Sequence, residues 1–224
     1  MRNDAIRFED RRQAGRALAK ELRAYRGQNA LVLGIPRGGV PVAAEVATAL
    51  DADLDVIVAR KLGAPGEPEL AIGAVTANGG EYLDERIASR VGATRSYIES
   101  VREEQVAEAR RRETRFRGNR PAETISNRVV ILVDDGLATG ATMRAAVRSA
   151  RKHRPARLIV AVPVGSREAC AALRAEADEL VCPSEPEPFG AVGYFYGDFS
   201  PVEDAEVEHI LREFSARHVA ARTE

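Results

Sequence analysis

Cysteine is scarce in this sequence, net charge is almost nil, and no apolar run is long. Cys170 and Cys182 are the only two cysteines in 224 residues. Their spacing matches neither a metal-ligand nor a catalytic pattern, so they read as small buried or half-buried apolar residues. The formal net charge of −1 excludes the broad basic field of a general nucleic-acid binder, and no nucleic-acid partner is expected. Any anionic ligand must then be captured by local devices. No apolar stretch approaches the ~20 residues of a membrane-spanning helix, and Met1–Arg7 lacks the apolar core of a signal peptide. These absences lead to the expectation of a cytoplasmic protein without a membrane partner. Neither an internal repeat nor a low-complexity segment is found.

What is present is an alternation of short apolar strands and helices. A helical face is formed by Ala14, Ala17, Leu18, Leu22 and Tyr25. Ala30–Ile35 is apolar without polar alternation, as in a strand buried on both faces, and a helix with Pro41 in its first turn follows it. Asp55–Ala59 reads as a second strand, and Leu62–Leu70 as a loop punctuated by Gly63, Pro65, Gly66 and Pro68. Ala71–Thr76 and Glu81–Leu83 suggest a hairpin across Asn78-Gly79-Gly80. A helical insertion spans about 84–127, with Thr94 as an N-cap. Arg128–Val133, Arg157–Val162 and Glu179–Cys182 read as further strands, and Val202–Phe214 as a closing helix. The expected fold is a single α/β domain over 1–224. It has a mostly parallel twisted sheet flanked by helices, and a small C-terminal hood segment at about 183–202. Ligands of such sheets bind at the carboxyl ends of the strands.

The most informative stretch is Val129–Thr142. A buried strand delivers Asp134 and Asp135 to its exposed end, and a loop with two glycines and two threonines leads into a helix start. Glycines let N–H groups crowd round an anion, and a helix N-terminus favours negative charge. Paired carboxylates suit a vicinal diol, because each can accept from a hydroxyl in a charge-assisted bond. Diol acceptors followed by a phosphate cradle describe a ribose 5-phosphate. A second anion nest is suggested by Pro36-Arg37-Gly38-Gly39, a strand end followed by a cation, two glycines and a helix start.

Val129–Thr142 resembles the signature of type I phosphoribosyltransferases. The resemblance implies a transferase, active in nucleotide metabolism, that binds phosphoribosyl pyrophosphate (PRPP). It would pass the phosphoribosyl group to a nucleobase or related nitrogen acceptor with release of pyrophosphate. Asp134 and Asp135 would hold the ribose hydroxyls, and also Mg²⁺, directly or through water. Ala138, Thr139, Gly140, Ala141 and Thr142 would bind the 5-phosphate, and Pro36, Arg37, Gly38 and Gly39 the pyrophosphate, in a loop often strained or cis. Arg60 and Lys61 would begin the mobile catalytic loop, with Leu62–Leu70 as its lid. That loop departs from the family by carrying Glu67 and Glu69 and no further lysine. A homodimer, usual in the family, is compatible with the sequence.

The acceptor is less defined. Phe189, Tyr194 and Tyr196 could stack on a flat ring, or serve equally as hood core. Pro163-Val164-Gly165 lacks the lysine that reads the purine oxygen in hypoxanthine–guanine enzymes. The arginines at 110, 111, 112, 115 and 117 are interleaved with Glu108 and Glu113 at helical ion-pair spacing, which reads as a solvated face or oligomer contact. The alternative function is a PRPP-sensing regulator of the same fold that binds RNA or a protein without turnover. A DNA-binding form of it is not expected, since only about thirty residues precede the first strand.

Overall fold

A computed structural model describes residues 7–221, with the side chains of 217–221 left out of account. The chain runs α1 (Arg11–Glu21), β1 (Ala30–Gly34), α2 (Gly39–Leu50), β2 (Asp53–Val56), β3 (Ala59–Ala64), β4 (Glu67–Thr76) and β5 (Glu81–Leu83). It continues α3 (Glu85–Arg90), α4 (Arg95–Arg117), β6 (Val129–Val133), α5 (Ala141–Lys152), β7 (Arg157–Ala161), α6 (Arg167–Arg174), β8 (Glu179–Val181) and α7 (Asp204–Ala221).

Five strands form a parallel sheet in the order β2-β1-β6-β7-β8, and β3-β4-β5 form a small antiparallel sheet. The uniformly apolar strands have no solvated face, because alternate residues enter two different cores. Val32, Ile131, Val133, Ile159 and Ala161 pack with α2 and α7. Leu31, Leu33, Val130, Leu132, Leu158 and Val160 pack with α5 and α6. The order reverses between β1 and β6, where Gly34 lies opposite Val133, so a crevice opens at their carboxyl ends. No helix among the described residues is long and apolar enough to cross a membrane.

Two expectations are corrected. The second parallel strand is Asp53–Val56 rather than Asp55–Ala59. This strand carries two aspartates, and both are buried and compensated. Arg128 pairs with Asp53 at 2.6 Å. Arg117 Nε reaches both Asp55 oxygens, at 2.9 and 3.0 Å, and the Val56 and Glu123 N–H groups also donate to that carboxylate. A buried carboxylate with so many donors is tolerable where a bare one is not.

The second correction concerns Leu62–Leu70. It is a strand hairpin rather than a loop: Ala64 pairs with Glu67 across Pro65-Gly66, with register shifts at Leu62, Gly63 and Ala64. Leu62, Ala64 and Ile72 bury its inner face against Ala88 and side chains of α3 and α4. The helical insertion thus roofs the small sheet. The hairpin across Asn78-Gly79-Gly80 and the Thr94 cap both form as expected, with Thr94 accepting from the Tyr97 N–H.

The arginines of α4 are engaged within the chain. Arg112 bonds Glu108 at 2.7 Å, and Arg117 bonds Glu113 at 2.9 Å. Arg115 bonds Asp204 and Glu208, each at 2.7 Å, and Arg110 the Ala77 carbonyl at 3.0 Å.

Candidate functional site

β6 ends at Val133 and sets Asp134 and Asp135 at the mouth of the crevice. The two carboxylates are held differently. Asp135 Oδ2 accepts from Arg11 Nε at 2.8 Å, and the Asp135 carbonyl accepts from the Tyr196 hydroxyl at 2.5 Å. Asp134 makes no ion pair among the described residues; its Oδ1 accepts from the Asp135 N–H at 2.8 Å. Burial, and then the neighbouring Asp135 charge, push the Asp134 carboxyl well above the usual carboxylate range. Burial raises Asp135 too, while the hydrogen bond and charge of Arg11 pull it back.

Arg11 is the residue that sequence reading missed. It opens α1, and its side chain is 12% exposed. Its guanidinium lies 4.0 Å from the centre of the Phe199 ring, and NH1 donates to the Ser200 carbonyl at 2.8 Å. Nothing in sequence joins it to an aspartate 124 positions away.

Past Asp135 the chain turns through a loop into the N-terminus of α5. Leu137 N–H bonds the Val164 carbonyl, Ser166 N–H bonds the Leu137 carbonyl, and Ser166 Oγ donates to the Ala138 carbonyl at 2.6 Å. These bonds hold the loop from behind. Among the described residues, the N–H groups of Ala138, Thr139, Gly140, Ala141 and Thr142 meet no acceptor. Gly140 caps α5 at φ +78°, a conformation costly for any residue with a side chain.

Pro36–Gly39 lies beside the acidic pair, and the Pro36–Arg37 peptide is cis. A Cβ on Gly38 would stand 1.9 Å from Asp135 Oδ2, and one on Gly39 would stand 2.7 Å from the Val133 carbonyl oxygen. Both glycines are therefore required by the close approach of the two loops. Arg37 is half-exposed and its NH1 lies 3.5 Å from Asp204. The N–H groups of Arg37 and Gly38 meet no acceptor among the described residues. Replacing Gly38 by alanine should force the two loops apart and cost about 1–3 kcal/mol of stability, the usual penalty of overpacking; thermal melts would measure it, and an unchanged melting temperature would show that the contact is dispensable.

Arg60 and Lys61 are not at a parallel-strand end as expected; they lie inside β3. Arg60 Nε donates to Gln105 at 3.1 Å, and burial together with nearby Arg112 lowers its pKa. With Glu69, Tyr97 and Gln105 they line a cleft of about 600 Å³ that extends to Thr142 of the anion loop and includes none of Pro36–Gly39.

The aromatic candidates separate. Tyr196 is 2% exposed and packed against Phe8 and Phe199, so its faces are unavailable for stacking, and its hydroxyl is spent on Asp135. Phe189 is half-buried against Phe195. Tyr194 is 74% exposed and is the open ring of the hood.

The acidic pair thus sits at the switch point of a parallel sheet, between two loops whose N–H groups meet no acceptor among the described residues. Residues 7–194 match the family model of the phosphoribosyl transferase domain, and the chain belongs to that family. A crystal structure of TT1426 from Thermus thermophilus is similar, with 46% identity and a TM-score of 0.79 over 93% of this chain and 99% of that one. Two Mycobacterium tuberculosis proteins, from strains CDC 1551 and H37Rv, are 44% identical over 204 residues, or 91% of this chain. Their names assign them provisionally to the phosphoribosyl transferases. The chain spans about half the length of these curated relatives, covering 46% of each.

Proposed function

We propose that the chain is an enzyme that binds PRPP and transfers its phosphoribosyl group to a nitrogen acceptor, a nucleobase or a related ring, releasing pyrophosphate. The observation that carries this reading is the contact of Gly38 with Asp135. It sets Pro36–Gly39 against the acidic pair on the side away from Ala138–Thr142, which supports an order of 5-phosphate, ribose and pyrophosphate.

In this reading Ala138–Thr142 grip the 5-phosphate through free N–H groups and two hydroxyls. Asp134 accepts from the ribose hydroxyls, and Asp135, fixed by Arg11 and Tyr196, keeps the pair aligned. The N–H groups of Arg37 and Gly38 receive the pyrophosphate. Arg60 and Lys61 add positive charge on the small-sheet wall of the cleft that reaches Thr142, countering the polyanionic substrate. Mg²⁺ suits the acceptor-only carboxylate oxygens that protein donors leave free, and when bound, directly or through water, it would neutralise pyrophosphate charge. Tyr194 is the side chain best placed by exposure to stack on the acceptor ring.

The test is pyrophosphate release from PRPP and Mg²⁺ with nucleobases offered one at a time. Release that depends on one base is the expected result. PRPP binding without release from any base would replace the transferase with a PRPP sensor. The pairing of the α4 arginines within the chain leaves such a sensor little basic surface there for RNA. Failure to bind PRPP would overturn both readings.

A further inference from the structure

The two cysteines have no ligand-like spacing in sequence, yet the fold brings them together. Cys170, on α6, has no exposed surface, and Cys182, just after β8, is half-buried. Their sulfurs stand within 4.8 Å of each other, and Cys182 Sγ donates to the Ser184 carbonyl at 3.2 Å. Glu185 brings a carboxylate to the same point. The two sulfurs and one carboxylate oxygen all lie within 4.8 Å of one another, the only such group among the described residues. The expectation of two merely apolar side chains does not account for these neighbours, which are a carboxylate, a backbone carbonyl and the guanidinium of Arg174 that pairs with Glu185.

We propose that Cys170, Cys182 and Glu185 bind a thiophilic divalent cation of the zinc class, with one coordination position open to solvent. Zinc takes sulfur at about 2.3 Å and carboxylate oxygen at about 2.0–2.2 Å in tetrahedral array. Donors in such an array stand about 3.6–3.8 Å apart, inside the span observed. Sulfur donors exclude magnesium and select zinc or its thiophilic neighbours, so this site differs in chemistry from the acidic pair. Charge also balances: two thiolates, one carboxylate and a divalent cation leave one negative charge, and Arg174 cancels it. Binding releases the two thiol protons.

The site braces the back of the anion loop. A Cβ on Gly165 would stand 2.6 Å from Cys170 Sγ and 3.3 Å from Cys182 Sγ. Gly165 precedes Ser166, which holds the Leu137 and Ala138 carbonyls.

The inference is independent of the transferase reading and is tested by titrating the reduced full chain with Co²⁺. One equivalent should produce thiolate-to-cobalt charge-transfer absorption in the near ultraviolet, removed by Zn²⁺. Cobalt held by Asp134 and Asp135 alone has no sulfur ligand and gives no such band. Cys170→Ser and Cys182→Ser should each abolish the absorption, and Glu185→Gln should weaken binding at least about tenfold. Cys182 is half-buried, so Cys182→Ser tests the site even if Cys170→Ser fails to fold, and circular dichroism checks each variant. No band in the reduced wild-type chain, or an undiminished band in Cys182→Ser, would overturn the proposal.

Discussion

Asp134→Asn should lower turnover with PRPP by about 10²–10³-fold, the usual cost of removing one electrostatic contact that strengthens in the transition state. It should do so without loss of stability. Asparagine keeps the oxygen that accepts from the Asp135 N–H, while the charge that burial and Asp135 disfavour disappears. The folded-state pKa of Asp134 stands above its unfolded value. Its favourable contribution is therefore full below the unfolded pKa, and is lost as pH rises through the folded one. The asparagine variant should melt no lower than wild type near neutrality, and its advantage should vanish below about pH 4. Steady-state kinetics beside thermal melts at two pH values would check this. A variant that loses activity only in step with its melting temperature would point to Asp134 as a structural residue.

Arg11→Met should cost about 3 kcal/mol of stability near neutral pH, the low end for removing one partner of a mostly buried ion pair. The Asp135 side chain is 14% exposed, so water compensates little. Methionine keeps much of the apolar contact with Phe199 but leaves the carboxylate without its cation. The Asp135 pKa then rises further, and the penalty should shrink as pH falls and the carboxyl becomes neutral. Urea denaturation at two pH values would measure it, and a double-mutant cycle with Asp135→Asn would isolate the pair. A penalty independent of pH would assign the loss to packing instead. PRPP affinity should fall as well, because an unanchored Asp135 no longer holds its place against Gly38.

Features carried by contiguous residues could be read from the sequence, and those made by distant segments could not. Val129–Thr142 encodes strand, acidic pair, glycine-bearing loop and helix start in one run, and the tight turn at Pro36–Gly39 is equally local. Glu108 and Glu113 stand one helical turn before their arginine partners, and both pairs form. The Leu62–Leu70 hairpin was obscured because Gly63, Pro65, Gly66 and Pro68 suggest a loop, whereas its pairing depends on burial against helices that come later in the chain. The start of β2 was misplaced because Asp53 interrupts the apolar run, and Arg128, which makes it tolerable, lies 75 positions away. Tyr196 could be taken for a base platform until the fold showed both faces covered. Arg11, and the meeting of Cys170 with Cys182, likewise required the packed structure.

The backbone link between the Phe8 and Tyr196 segments has a consequence for synthesis on the ribosome. Phe8 N–H bonds the Phe195 carbonyl, and Gly197 N–H bonds the Phe8 carbonyl. Arg11 joins Asp135 to Ser200 in the same place. The acidic pair is translated well before the segment that fastens it, Tyr196 following Asp135 by 61 residues. At elongation rates of 5–20 residues per second, that interval is roughly 3–12 s. A nascent chain that ends short of Tyr196 can already pair Arg11 with Asp135, but it lacks the Tyr196 hydroxyl and the Ser200 carbonyl, so this corner of the fold is completed only when the C-terminal segment has been made.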